Sequence, residues 1–174
     1  MRRDTNSVKG GAMGKIDRTT NTLHDRRHFI SGPDARIIMG KDEKALLRLW
    51  REKLGEADPS DVVQLSLATW DLNRRRFELH SGHHISRIQL RAVHRTIPWM
   101  AATLDGLVKE TGALFQAEFM LRRSFPEETA ADEHIAKLQH NMLVAGTRKS
   151  VLSIIDGGGN PIKRLNTILA KRTQ

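Results

Sequence analysis

Three short runs of alternating apolar and polar residues, broken by Pro98, Gly106 and Gly112, constrain this chain more than any other feature. Ile88, Leu90 and Ala92 alternate with Gln89 and Arg91, and the segments Trp99 to Leu104 and Ala113 to Leu121 follow. Strand side chains change face at every residue, so such runs suit strands, and turn residues between them predict a three-stranded antiparallel meander. Helical spacing flanks the meander. On the N-terminal side Ala45, Leu46, Leu49, Trp50 and Lys53 predict a helix over 43–54, with Asp42 as N-cap, Gly55 as stop, and Leu49 and Trp50 in the core. After a turn at Asp58-Pro59-Ser60, the apolar positions Leu65, Ala68, Leu72 and Leu79 predict a second helix that ends before Gly82. On the C-terminal side Ser124-Phe125-Pro126-Glu127 has the pattern of a capping box, opening a helix with Ala131, Ile135, Leu138 and Met142 on one face and Gly146 at its end. Ser150 to Ile155 suits a strand, the Gly157-Gly158-Gly159-Asn160 run a turn, and Ile162 to Leu169 a closing strand or helix. The order helix, helix, three strands, helix, strand predicts an α/β (α+β) domain with a small central mixed sheet flanked by helices.

A length of 174 residues fits one such domain plus a tail. Residues 1–28 hold seven Lys or Arg against three Asp without apolar periodicity, which predicts a flexible basic tail ahead of a domain over 29–174. The absence of cysteine excludes disulfide scaffolds, thiolate metal sites and cysteine nucleophiles, so any metal must sit on oxygen or imidazole. No apolar run approaches the roughly 18 residues of a membrane span, and the N-terminus lacks the apolar stretch of a signal peptide. A cytoplasmic protein with no membrane contact is expected. The charge of 29 − 20 = +9 favours polyanion partners, because Lys and Arg that neutralise phosphates release condensed counterions. Zero Tyr and 5% aromatic residues argue against a base-stacking platform. Gly10-Gly11-Ala12-Met13-Gly14-Lys15 is not a phosphate loop, since its glycine spacing is wrong and Ile16 stands where a Ser or Thr is needed. His80, His83 and His84 fall within five positions, but no acid or Cys completes a metal set and the Gly82 break predicts a loop there.

The candidate chemistry lies around Thr103-Leu104-Asp105-Gly106 and Ala113 to Met120. On a strand Gln116 and Glu118 project to one side while Phe115, Ala117 and Phe119 face the other. An acid after one strand and two polar groups on one face of the next have the layout of nucleases that hold Mg²⁺ between carboxylates beside a lysine. The plainer alternatives are a turn Asp-Gly and a solvated strand face.

In this setting the sequence resembles the phage lambda-type exonuclease family, or YqaJ-like viral recombinases, whose core is restriction-endonuclease-like. The resemblance runs through Ser31 to Gly40, Leu46 to Lys53, Leu72-Asn73-Arg74-Arg75, Thr103 to Gly106, Leu138-Gln139-His140-Asn141-Met142 and Val151 to Ile155 with its glycine triplet, in one colinear order. It implies 5′ to 3′ resection of double-stranded DNA ends with Mg²⁺, alongside a single-strand annealing protein in phage recombination. The family site implied is a Glu on the second helix, the Asp of Asp-Gly, a Glu-x-Lys on the following strand and a Gln on the next helix. Asp105 and Gln139 match. The other three positions hold Trp70, Gln116 and Glu118, so a carboxylate is lost twice and the lysine is replaced by an acid.

Loss of one positioned electrostatic group commonly costs ~10² to 10³ in rate, so three together predict a degenerate site. Asp71 is turned about 100° from position 70 on a helix, and no lysine is evident on the strand face. The expectation is a homologue with residual DNA binding, in which Arg74, Arg75 and Arg76 form either a solvated face or a phosphate track. The alternatives are an active Mg²⁺-dependent exonuclease using Asp105, Glu118 and Asp71, and a non-catalytic basic partner of an annealing protein or of an intact nuclease subunit. The family's ring-shaped trimer is not expected, because the chain is short past its last strand.

Overall fold

The computed structural model describes residues 16–17, 27–56, 62–120, 127–156 and 166–171. In chain order these hold β1 (Ile16–Asp17), α1 (Gly32–Met39), α2 (Glu43–Leu54), α3 (Val62–Ser81), β2 (Ile85–Ser86), β3 (Leu90–Val93), β4 (Ala101–Leu104), β5 (Gly106–Val108), β6 (Leu114–Met120), α4 (Glu127–Ala145), β7 (Lys149–Asp156) and β8 (Asn166–Lys171). The mixed α/β class expected from the sequence is the class observed. Among the described residues no helix is long and apolar enough to cross a membrane.

The meander is instead divided between two sheets. β1, β3 and β4 form one, and β2-β5-β6-β7-β8 the other. β3 pairs antiparallel with β4, β5 antiparallel with β6, and β6 runs parallel to β7 across the α4 crossover. The chain passes from the first sheet to the second at Asp105, the single residue between β4 and β5. Gly106 is needed there for space rather than for a turn, because a Cβ would lie 2.2 Å from Ile85 Cγ2 and 3.1 Å from the Ser86 carbonyl of neighbouring β2. β8 settles the closing segment as a strand, antiparallel to β7. Ile16–Asp17, inside the stretch expected as a tail, pair with Ala92 and Arg91. The expected turn at Asp58-Pro59-Ser60, the capping box from Ser124 and the glycine-rich turn after Asp156 lie outside the described residues.

Two apolar clusters fix the sheet between helices. Leu138 and Met142 of α4 pack on Leu104, Leu114, Leu152 and Ile154. On the opposite face Phe77 of α3 packs on Phe115 with ring centroids 5.0 Å apart. Burying each of these Phe side chains contributes roughly 2 to 3 kcal/mol.

Helix α2 has the expected limits, with Asp42 Oδ1 accepting from the N–H groups of Lys44 and Ala45 and Gly55 at the C-cap. Its core face is narrower than predicted: Leu49 is buried, but Trp50 is 58% exposed. On α3 the expected apolar face is also displaced. Leu72 and Leu79 are exposed, and Asn73 and Phe77, four residues apart, face the sheet instead. Asn73 Nδ2 donates to the carbonyls of Glu118 (3.1 Å) and Ser153 (2.8 Å), and its Oδ1 accepts from Ser153 Oγ (2.6 Å). A buried amide is therefore satisfied at the β6–β7 seam, where an apolar residue would leave strand carbonyls with fewer partners.

Helix α1 was not predicted. The Asp34 carboxylate, fully buried, accepts from Ser31 N–H and Ser31 Oγ (both 2.8 Å) and pairs with Lys53 Nζ of α2 at 2.7 Å. Lys53 also donates to the Phe29 carbonyl at 2.6 Å, tying both helices to the chain entering α1.

Candidate functional site

The switch between sheets carries Asp105 across to β6. Its Oδ2 accepts from the Ala117 N–H at 2.9 Å and from Gln116 Nε2, while Oδ1 meets Gln89 Nε2 at 3.4 Å. Gln89 is placed by a turn in which Arg87 and Gln89 both adopt positive φ, 53° and 49°, a conformation that costs side chains other than Gly. Gln116, 2% exposed, is held in a defined orientation: its Oε1 accepts from Asn141 Nδ2 of α4 at 2.8 Å, so its Nε2 faces Asp105. An amide relay thus runs from α4 through β6 to the carboxylate.

Glu118 projects to the same side of β6 as Gln116. Its Oε1 is in contact with Lys137 Nζ and lies 3.9 Å from His134 Nδ1, both on α4. The expectation that no lysine serves this face is therefore overturned: Lys137 reaches it from the crossover helix, 19 residues away in sequence. His134, Lys137 and Asn141 follow the i, i+3, i+7 spacing of one helix face, which turns all three toward β6. Gln139, the expected helix residue of the site, lies half-buried on the same helix.

Burial pushes the Asp105 carboxyl up to about 6, against the pull of the Lys137 ammonium and of the Ala117 N–H; the Glu118 carboxylate adds to the rise. Burial likewise lowers His134 and His140, favouring their neutral forms. Both His134 ring nitrogens and Asn141 Oδ1 are buried without a hydrogen-bond partner. Gly32 at the start of α1 makes room for that amide, since a Cβ there would lie 2.3 Å from Asn141 Oδ1.

Helix α3 places the remaining expected residues. Trp70 is half-buried, its indole Nε1 has no hydrogen-bond partner, and the Arg74 guanidinium stacks over its ring at 5.7 Å. Asp71 is bound by Arg74 (2.8 Å) and Arg75 (2.7 Å), and Arg74 also pairs with Glu78 at 2.6 Å. Arg74 is thus a half-buried bridge between two carboxylates rather than part of an open basic stripe, while Arg75 keeps an exposed head. The histidine cluster does meet an acid that the sequence order hides. Glu110 lies 2.9 Å from His84 Nδ1 and 3.6 Å from His83 Nδ1, whereas His80 Nδ1 contacts the Arg76 carbonyl.

A divalent ion between carboxylates, which the family resemblance implies, is not matched by this donor set. Position 116 presents an amide that donates to Asp105, and Glu118 Oε1 lies against an ammonium. Among the described residues no group of three or more His, Asp or Glu is placed to hold a metal.

No protein-family model matches the sequence, and no curated protein does. The fold does have counterparts. An alkaline exonuclease from Laribacter hongkongensis superposes with a TM-score of 0.64 at 17% identity, covering 87% of this chain and 81% of that one. The same enzyme in complex with dAMP gives 0.64 at 16% identity, with the same coverage. A phage related exonuclease from Haemophilus somnus 129PT gives 0.64 at 10% identity, covering 83% and 85%. At such identities the likeness is one of fold. The chain shares its fold with these exonucleases, and the sequence resemblance implies the same fold.

Proposed function

We propose that this chain is a phage-type exonuclease homologue that binds double-stranded DNA without hydrolysing it. One observation carries this: within an exonuclease fold, Gln116 Nε2 and Lys137 Nζ engage the carboxylates of Asp105 and Glu118. Phosphodiester hydrolysis in a carboxylate site requires oxygen ligands to be open to a metal and a base or lysine to be open to water. Here both acids face protein donors, and Asp71, the nearest substitute on α3, is bound by two arginines. The formal charge of +9 supports retained affinity for a polyanion, and the fold likeness to the Laribacter exonuclease, which is known in complex with dAMP, is the reason for taking that polyanion to be DNA.

The test combines two measurements on the full chain. Linear duplex DNA incubated with Mg²⁺ or Mn²⁺ should remain intact, and gel-shift affinity for the same duplex should fall roughly 10²-fold between 50 and 200 mM salt if about four phosphates are contacted. Metal-dependent shortening of the duplex would mean an active exonuclease instead. Affinity unchanged by salt, or none, would refute DNA binding.

A further inference from the structure

An arginine that already faces acids has little positive field left for a phosphate, so counting arginines does not locate a polyanion contact. On α3 Arg74 and Arg75 share Asp71, and Arg74 also pairs with Glu78. On α2 Lys44, Arg48 and Arg51 alternate with Glu43 and Glu52. The β3–β4 hairpin differs. Residues 79–104 contain no Asp or Glu, the longest such interval in the chain, and they hold Arg87, Arg91 and Arg95. The hairpin has one face in the core, through Ala92, Ala102 and Leu104, whereas Thr103, opposite Arg91 in the register, is exposed. Arg91 itself lies over the Phe29 ring at 4.3 Å and stands opposite Asp17 of β1, so the middle of the hairpin is already engaged. Arg87 and Arg95 lie beyond the two ends of β3, and both are exposed. The Arg87 end adjoins the candidate site, because Gln89 of the same turn reaches Asp105. Among the described residues Arg87 and Gln89 are the two non-glycine positions with positive φ, and strain of this kind gathers where a backbone serves a ligand. The Arg95 end is a turn fixed by its own hydrogen bonds. His94 N–H donates to the Met100 carbonyl at 2.9 Å, and His94 Nδ1 accepts from the N–H groups of Thr96 (3.3 Å) and Ile97 (3.2 Å). Trp99 is 55% exposed on this turn although its carbonyl is held by the Ile30 N–H at 2.7 Å. An exposed tryptophan and an arginine on one rigid turn are the residue types that anchor interfaces, and the turn loses little freedom on contact.

We propose that duplex DNA lies along the outward side of the β3–β4 hairpin, with Arg87 and Arg95 on phosphates and Trp99 packed against the sugar-phosphate backbone beside Arg95. The four residues of β3 advance roughly 13 Å, and both arginines lie beyond its ends. One strand of a duplex carries a charge about every 3.4 Å of its axis, so the two guanidiniums meet different phosphates and count as two contacts. The contact thereby moves from the neutralised face of α3 to an acid-free surface next to Asp105. This inference rests on the duplex binding proposed above and assigns the surface that performs it. Duplex binding that ignores the hairpin would overturn the assignment alone, whereas a wild type without salt-dependent affinity would overturn the proposed function and the assignment with it.

The experiment measures fluorescence anisotropy of a labelled blunt duplex with the full chain at several salt concentrations, without divalent ions. In Arg87→Gln/Arg95→Gln the slope of log affinity against log salt should shrink by about 2, and in Arg95→Gln alone by about 1. Lys44→Gln/Arg51→Gln removes the same charge from α2 and should leave the slope nearly unchanged. Equal shrinkage in that variant would mean that net charge alone binds DNA, and would overturn the assignment. So would shrinkage in Arg75→Gln/Arg76→Gln without any in the hairpin variants, which would return the contact to α3. The exchanged hairpin side chains are exposed, so these variants should melt like the wild type by circular dichroism; if Arg87→Gln disturbs its strained turn, the single Arg95→Gln variant still decides. Tryptophan emission gives a second readout. Duplex should quench it in the wild type and in Trp50→Phe, and most of the quenching should vanish in Trp99→Phe; quenching that survives Trp99→Phe, or none in the wild type, would overturn the proposal.

Discussion

Replacing Asp105 with Asn should make the protein more stable above pH 6 and leave it nearly unchanged near pH 4. The carboxyl is raised from its ordinary value near 4 to about 6, chiefly by burial. A raised acid binds its proton more tightly in the folded state than in the unfolded one. Folding therefore takes up a proton between about pH 4 and 6, and stability falls as pH rises through that window. Two units at about 1.4 kcal/mol each set a ceiling of about 3 kcal/mol, and partial solvent access reduces it to on the order of 2. The hydrogen bonds permit the exchange. Ala117 N–H and Gln116 Nε2 both donate to the same oxygen, Oδ2, so an Asn oxygen there retains both. The new amide then falls at Oδ1, which Nε2 of the exposed Gln89 reaches only at the long distance of 3.4 Å.

The assay is urea denaturation of both proteins from pH 4.5 to 8. The comparison matters more than either curve, because His134 and His140, lowered by burial, oppose Asp105 in the neighbouring range. Their contribution is fully present above about pH 6.5 and is lost as pH falls, and it cancels between wild type and variant. A difference that does not vary with pH would refute the burial argument. A wild-type advantage that grows with pH would show that the charged Asp105 is net stabilising.

Two further outcomes follow from named contacts. Restoring the family pattern with Trp70→Glu, Gln116→Glu and Glu118→Lys should give no Mg²⁺-dependent digestion of linear duplex, because the new ammonium at 118 would meet Lys137; digestion should emerge only when Lys137→Gln is added, and equal activity in the triple and quadruple variants would refute the clash. Lys53→Met should lower stability by about 3 to 5 kcal/mol in urea denaturation, since it strands the buried Asp34 carboxylate, and a loss below about 1 kcal/mol would show that the Ser31 donors suffice.

The elements legible in the sequence are those whose signals are local. Helix α2 has its cap, its stop and its periodicity within fourteen residues, and both of its limits are recovered. Helix α1 carries a local start signal, Ser31 and Asp34 in a capping box with Pro33 in the first turn, but its eight residues are too few for a clear apolar periodicity and its anchoring comes from Lys53 on another helix. Strand β5 was hidden because Gly106 suggested a separator, whereas its role is to let β2 pass close by. On α3 hydropathy places Leu72 and Leu79 inside, while the sheet seam takes a donor and Asn73 holds the buried position; on α2 Leu49 is buried and its neighbour Trp50 is exposed.

The site divides along the same line. Period-two alternation places Gln116 and Glu118 on one face, and Asp-Gly marks the neighbouring acid, because both facts are properties of a single strand or step. What those groups meet is decided by the parallel β6–β7 pairing, which forces an intervening helix to cross back over the strand. That crossover brings His134, Lys137 and Asn141 onto Glu118 and Gln116. One trace of this exists in the sequence: three polar residues at i, i+3 and i+7 lie alongside Leu138 and Met142, on a face that should be apolar if it only packed a core. A polar stripe on the buried side of a crossover helix implies polar partners on the sheet below. With Gln116 and Glu118 already on one strand face, the positive charge at 137 is the complement that the acid at 118 requires.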